Sequence, residues 1–142
     1  MSVDWKDKPW MQWLEKHYGE VEKTGSTPTE FNREIFDHTS LKLNKEMLAG
    51  CAATACAALE ESGYKSPHNP MAISFKKYGE PCELKPGCIV VFEWDSGSHH
   101  VSFCHHIVDN DLVACLGGNQ RSKLQTLVYK RNHIIATRWP VK

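Results

Sequence analysis

The first half of the chain carries apolar residues at intervals of three and four, in segments that glycines or prolines separate. Such spacing predicts amphipathic helices. Four are predicted, over residues 10–18, 31–36, 51–59 and 69–78. Thr29 precedes the second helix and is expected to cap it. Gly19, Gly63 and Gly79 follow the other three, where glycine commonly ends a helix. Residues 39–50 give no clear prediction.

After Pro86 the pattern changes to short apolar runs and alternating residues, which are typical of strands. Five strands are predicted, over residues 88–94, 99–108, 112–116, 124–130 and 134–139. Turn signals separate them, among them residues 109–111 and 117–119. Helices followed by a meander of strands indicate an α+β fold, with N-terminal helices packed on an antiparallel sheet of about five strands.

Length and composition narrow the classes of protein to consider. A chain of 142 residues is expected to form a single domain, residues 1–142, and 41% apolar residues argue against disorder. Equal numbers of basic and acidic residues, 17 of each, argue against a general nucleic-acid binder. No apolar run approaches the roughly 20 residues of a membrane-spanning helix, and the N-terminus lacks the apolar region of a secretory signal.

The charges are distributed unevenly along the chain. Residues 112–142 contain no Asp or Glu but six Lys or Arg. This pattern predicts either a basic face that meets an anionic substrate or polymer, or an ordinary solvated face of the sheet.

Six cysteines are present without a CxxC pair, which argues against a zinc ribbon or a thioredoxin-type site and favours reduced thiols. Cys51 follows Gly50 at the start of the alanine-rich helix. Unpaired backbone N–H groups and the helix dipole favour a thiolate there, so Cys51 is a candidate nucleophile. The alternative is a small core residue, which is also the interpretation for Cys56.

Residues 99–106 contain four histidines on a predicted strand. A histidine at the start of this strand, His99 or His100, would be placed to abstract a proton from Cys51 across the helix–sheet contact. Alternatively, these are surface histidines. A metal site is disfavoured because strand alternation divides the histidines between the two faces.

Residues 116–120 read Leu-Gly-Gly-Asn-Gln. Either Asn119 or Gln120 would be able to hold the second nitrogen of the imidazole and fix its tautomer, as in Cys–His–Asn sites. The alternative is an ordinary Gly-Gly-Asn turn.

Seven short motifs follow one another between residues 9 and 140: PWM, CAA, GYK, PGCIVVF, HHVSF, LGGNQ and RWP. In order and spacing they resemble a compact subgroup of the papain-like peptidoglycan hydrolases of the NlpC and CHAP type, which are cysteine peptidases and amidases. The chain departs from the usual family pattern at three positions. Gly50 replaces a Trp, Cys88 replaces an Asp, and His99 replaces a Gly.

The resemblance implies a papain-like fold and a thiol mechanism without metal or cofactor. Cys51 would be the nucleophile, and its backbone N–H would stabilise the oxyanion. His100 would be the base and Asn119 the residue that orients it, while Gln120 would contact substrate. The implied reaction is hydrolysis of an amide bond in the peptide stem or cross-link of peptidoglycan. Alternatives are a binding module of the same fold that is not an enzyme, and a zinc protein.

The resemblance also implies a location and partners. A wall hydrolase made in the cytoplasm without a signal peptide would reach peptidoglycan by another route. It would be a phage endolysin released by a holin, or a type VI secretion effector with a cognate immunity protein.

Overall fold

The computed structural model describes residues 5–21, 23–24, 27–37, 41 and 50–142. Within these ranges, three α-helices occupy Pro9–Lys16 (α1), Glu30–Asp37 (α2) and Cys51–Glu61 (α3). Two 3₁₀ helices occupy Ala72–Lys77 and Arg131–His133. No helix in the described ranges is both long and apolar enough to cross a membrane. Most of the unassigned stretch 39–50 lies outside the described residues.

Eight strands are found in the same ranges: β1 (Lys23–Thr24), β2 (Thr27–Pro28), β3 (Glu80–Pro81), β4 (Ile89–Glu93), β5 (His99–Ile107), β6 (Leu112–Gln120), β7 (Lys123–Lys130) and β8 (Ile134–Trp139). β1 and β2 form a separate pair, and the others form one antiparallel sheet in the order β3-β8-β4-β5-β6-β7. The α+β class is as predicted. The sheet has six strands rather than about five because two-residue β3 is too short to produce an alternating pattern.

The predicted end of the third strand is wrong. β6 continues through both glycines to Gln120, and the tight turn to β7 lies at Arg121 and Ser122. A glycine pair often signals a turn. Here both glycines stay in the strand. The side chain of Ser102 occupies the space beside Gly117, and that of Thr54 occupies the space beside Gly118.

Each face of the sheet packs a different cluster of side chains. On one face, Ile89, Val91 and Phe103 pack with α1 and the buried alanines of α3. On the other face, Val90 and Phe92 pack with a row of cysteines, Cys88, Cys104 and Cys115. Alternate residues of β4 therefore point to opposite faces, and the helices cover one of them.

α3 combines small side chains with a well-formed C-terminus. Residues 52–59 are all buried. Gly63 has a φ of +83°, and the N–H of Tyr64 donates to Leu59 O at 2.9 Å while the N–H of Gly63 donates to Glu60 O at 3.1 Å. These bonds form a Schellman motif, which confirms that Gly63 ends this helix.

The first turn of α3 lies against the end of β6. A Cβ atom at Gly118 would lie 2.4 Å from Thr54 Oγ1 and 2.6 Å from Thr54 Cβ. Only glycine allows this approach, because real Cβ atoms do not come within 3 Å of such neighbours. The contact holds the first turn of α3, at Thr54, against Gly118 of β6.

We expect Gly118→Ser to push α3 away from β6 and to lower the free energy of unfolding by about 1–3 kcal/mol. Urea denaturation measures this change. Gly50→Ser is the matched control, because a Cβ at Gly50 meets no described atom within 4 Å and serine is favoured at a helix N-cap. Equal stabilities of the two variants would contradict the packing argument.

Candidate active site

Cys51 is the first residue of α3 and is half-buried. Gly50 is the N-cap, with extended backbone at φ −99° and ψ −171°, and it provides no side chain to cap the helix. The first turn contains no acidic residue. The positive end of the helix dipole is therefore directed at the thiol without a carboxylate in the first turn to offset it.

His100 is the second residue of β5, opposite Phe92 on β4, and only 9% of it is exposed. Its Nε2 lies 3.0 Å from Oε1 of Gln120, at the end of β6. The hydroxyl of Ser102 donates to the same oxygen at 2.7 Å. The imidazole is therefore held from one side by a buried carboxamide.

The orientation of the Gln120 carboxamide follows from its other bonds. Its Nε2 donates to the backbone carbonyls of Cys115 at 3.0 Å and Gln125 at 2.6 Å. A carbonyl only accepts, so the nitrogen must face these two oxygens and Oε1 must face His100 and Ser102. Nε2 of His100 therefore carries a hydrogen, and when the ring is neutral its basic lone pair is on Nδ1.

Gly117 leaves room for this network. A Cβ atom there would lie 2.4 Å from Ser102 Oγ and 3.3 Å from Gln120 Oε1. The pairing of β6 with β7 is irregular between Gly117 and Gln120, and Asn119 has a φ of +55°. A bulge of this kind shifts by one residue which side chains point to a given face.

The bulge explains why the residue that contacts His100 differs from the one predicted to orient it. The carboxamide oxygen beside Nε2 of His100 belongs to Gln120, whereas the resemblance implies Asn119. Asn119 is exposed. The predicted substrate contact by Gln120 does not fit its environment either, because Gln120 is 1% exposed and its carboxamide is fully engaged.

Tyr129 on β7 is a site residue that the sequence analysis missed. Its hydroxyl lies 3.4 Å from Nε2 of His100. Burial raises the pKa of Tyr129, negative charge on Cys115 or Cys51 raises it further, and the positive charge of Arg121 lowers it. Its position 29 residues after His100 gives no signal in sequence, because the two side chains meet across the face of the sheet that carries Phe92 and Trp94 and not at paired strand positions.

Aromatic rings enclose the imidazole. The rings of Phe92 and Trp94 lie roughly parallel to that of His100, with centroids 6.1 Å and 6.3 Å away, and the Tyr129 centroid is 5.5 Å away. These rings shield the bond between His100 and Gln120 from water. The sequence analysis did not assign either Phe92 or Trp94 to the site.

The structure therefore brings together part of the predicted set directly. His100 and Gln120 are in contact, and Tyr129 approaches the same imidazole. α3, which begins with Cys51, packs against both β5 and β6. His100 points with its neighbour Phe92 to the face of the sheet that carries the row of cysteines, whereas α3 packs on the opposite face.

The other histidines and cysteines lie apart from this arrangement. His99 pairs with Glu93 at 2.9 Å, and His105 lies 2.9 Å from His106. No group of three or more residues in the described ranges is placed to hold a metal ion. All six cysteines fall in these ranges, and all are free thiols.

Comparison with models of known protein families finds no match. No curated protein matches the chain either.

Burial lowers the pKa of His100, and the hydrogen bond to Gln120 opposes but does not cancel this effect. We therefore expect the ring to be neutral at pH 7 as the Nε2–H tautomer, with a titration midpoint below 6.5. Two-dimensional ¹H–¹⁵N NMR of histidine-labelled protein measures both properties, and His100→Asn assigns the signal. An Nδ1–H tautomer, or a midpoint above 6.5, would contradict the network.

The environments of the thiols predict their reactivity. Burial raises the pKa of Cys56 to about 11 and that of the half-buried Cys82 to about 11. The remaining three, Cys88, Cys104 and Cys115, are fully buried. With iodoacetamide at pH 7.5 we expect Cys51 to react at least about tenfold faster than any other cysteine, as followed by peptide mass spectrometry. Cys51→Ser should remove the fast phase and Cys82→Ser should retain it, so the reverse pattern would refute this order.

Proposed function

We propose that the protein is a papain-like cysteine hydrolase of the NlpC and CHAP type. Its substrate would be an amide bond in the peptide part of peptidoglycan. The observation that supports this proposal most directly is the buried network around Gln120, which leaves Nδ1 of His100 as the basic nitrogen. The proposal requires that the Cys51 thiol, at the start of α3, comes within proton-transfer distance of this nitrogen.

The proposed cycle begins from an uncharged pair. Because burial lowers the pKa of His100, the imidazole is neutral and acts as a general base. Nδ1 takes the proton of Cys51 as Sγ attacks the amide carbonyl. The backbone N–H of Cys51, at the helix start, donates to the developing oxyanion.

The second half of the cycle returns the proton. His100 gives it from Nδ1 to the leaving amine, and the acyl group remains on Sγ as a thioester. Water, deprotonated by the same nitrogen, then hydrolyses the thioester to a carboxylic acid and restores the thiol. Throughout, Gln120 Oε1 holds Nε2–H and keeps the ring oriented.

The residue before the thiol, Gly50, affects which substrates fit next to Cys51. At Gly50, where the resembled family usually has tryptophan, an added Cβ meets no described atom within 4 Å. Without that indole, the position before the thiol would admit a bulkier group next to the scissile amide. Stem peptides branch at their cross-links, so this space suits a branched substrate.

The proposal extends to biological context. A small wall hydrolase of this kind would act in the periplasm or cell wall, as a phage endolysin or as an injected antibacterial effector with an immunity protein. The basic residues of segment 112–142 would be attracted to the anionic wall.

Cys51→Ala is expected to reduce amine release from purified peptidoglycan by about 10³-fold or more, because no other group replaces the nucleophile. Mass spectrometry of the muropeptides identifies the bond that is cut. Cys82→Ser is the matched control and should keep activity, and circular dichroism checks that both variants fold.

Full activity of Cys51→Ala would exclude the thiol mechanism. A wild-type protein that binds sacculi without releasing amines would identify it instead as a binding module of the same fold.

A further inference from the structure

A bulge in β5 brings two neighbouring histidines together. The register of β5 with β6 passes from Cys104 to His106 and skips His105. Regular alternation would direct His105 and His106 to opposite faces of the sheet, which disfavours a shared metal site. The bulge interrupts this alternation. As a result, Nδ1 of His105 lies only 2.9 Å from Nδ1 of His106.

The surroundings of His105 determine which of its nitrogens carries the hydrogen. Its Nε2 lies 3.5 Å from Oε1 of Glu15 on α1, and the same oxygen accepts a hydrogen bond from Nε1 of Trp5 at 2.7 Å. A carboxylate favours a hydrogen on the nitrogen that faces it, so the lone pair of the neutral ring is on Nδ1, beside His106. A histidine that binds a metal ion commonly has a carboxylate behind its other nitrogen in this way.

The two rings can both present a lone pair. Burial lowers the pKa of His105, positive charge on His106 lowers it further, and Glu15 opposes these effects. When no metal is bound, Nδ1 of His106 donates its hydrogen to Nδ1 of His105, because two lone pairs would repel each other at 2.9 Å. His106 is exposed, so this hydrogen can move to its Nε2 and be bound by water. Both Nδ1 atoms are then free to bind one ion.

The distance between the two nitrogens fits a single metal ion. Two nitrogens bound at a right angle, each about 2.1 Å from the ion, lie about 3.0 Å apart, whereas tetrahedral coordination places them about 3.4 Å apart. The observed 2.9 Å therefore matches square-planar or octahedral coordination. The described residues add no third protein ligand, and the exposure of His106 leaves the other positions open to water.

We propose that His105 and His106 together bind one Ni²⁺ or Cu²⁺ ion through their Nδ1 atoms, with water completing the coordination. Both ions favour square-planar or tetragonal arrangements of nitrogen ligands. This site is separate from the candidate active site, because His105 lies roughly 16 Å farther along β5 than His100. The inference therefore does not depend on the proposed hydrolase function.

Calorimetric titration with Ni²⁺, on protein made without a histidine tag, tests the site. Cys51→Ala protein is used so that the half-buried thiol does not compete for the ion. We expect one Ni²⁺ per chain, with binding at least about tenfold weaker in His106→Asn and about tenfold weaker in Glu15→Gln. His99→Asn is the matched control and should bind like the parent, because His99 lies on the same strand but pairs with Glu93.

Spectroscopy distinguishes this pair from single histidines that bind metal independently. In ¹H–¹⁵N spectra of histidine-labelled protein, a substoichiometric amount of Ni²⁺ should broaden the signals of His105 and His106 first. Electron paramagnetic resonance of the Cu²⁺-loaded protein should show two nitrogen ligands, and only one in His106→Asn. Unchanged affinity in His106→Asn, or equal broadening of all eight histidines, would overturn the inference and identify the 2.9 Å contact as a hydrogen bond only.

Discussion

Two backbone carbonyls, those of Cys115 and Gln125, control the chemistry of the candidate site. They accept both hydrogens of the Gln120 amide, so its oxygen can face only His100 and Ser102. That oxygen in turn requires a hydrogen on Nε2 of His100, which leaves the lone pair on Nδ1. The identity of the basic nitrogen is therefore set by the hydrogen bonds from the Gln120 amide to Cys115 and Gln125, which do not involve the imidazole itself.

Adjacent glycines make this arrangement compatible with the fold. Gly118 lets the first turn of α3 approach β6, and Gly117 leaves space on the other face for Ser102 and Gln120. A side chain at Gly118 would displace the helix that begins with Cys51. A side chain at Gly117 would displace Gln120, the partner of His100. The close packing of α3 on the sheet and the buried polar network thus depend on neighbouring residues of one strand.

Much of this molecule could be predicted from local patterns. The helices at α1, α2 and α3 lie where they were predicted, whereas the helix predicted over 69–78 is a shorter 3₁₀ helix, Ala72–Lys77. Thr29 does cap α2, where its Oγ1 accepts from the N–H of Asn32 at 3.2 Å. Alternation located β4, β5 and β7. What local patterns could not predict depends on long-range packing. Strand alternation gives no means of choosing between Asn119 and Gln120 across a bulge. Tyr129 approaches His100 across one face of the sheet and not at paired strand positions.

The protonation of the proposed catalytic pair reflects two opposing effects. The start of α3 favours a thiolate at Cys51, but burial among Phe92, Trp94 and Tyr129 disfavours an imidazolium at His100. A proton that leaves the thiol would have to be placed on a ring that lacks water to solvate its charge. A neutral resting pair follows, in which the imidazolium forms only while a developing oxyanion is nearby to stabilise it. Because Nδ1 must be unprotonated to accept the proton, activity should decline as the pH falls through the lowered pKa of His100, rather than through the ordinary value of 6.5.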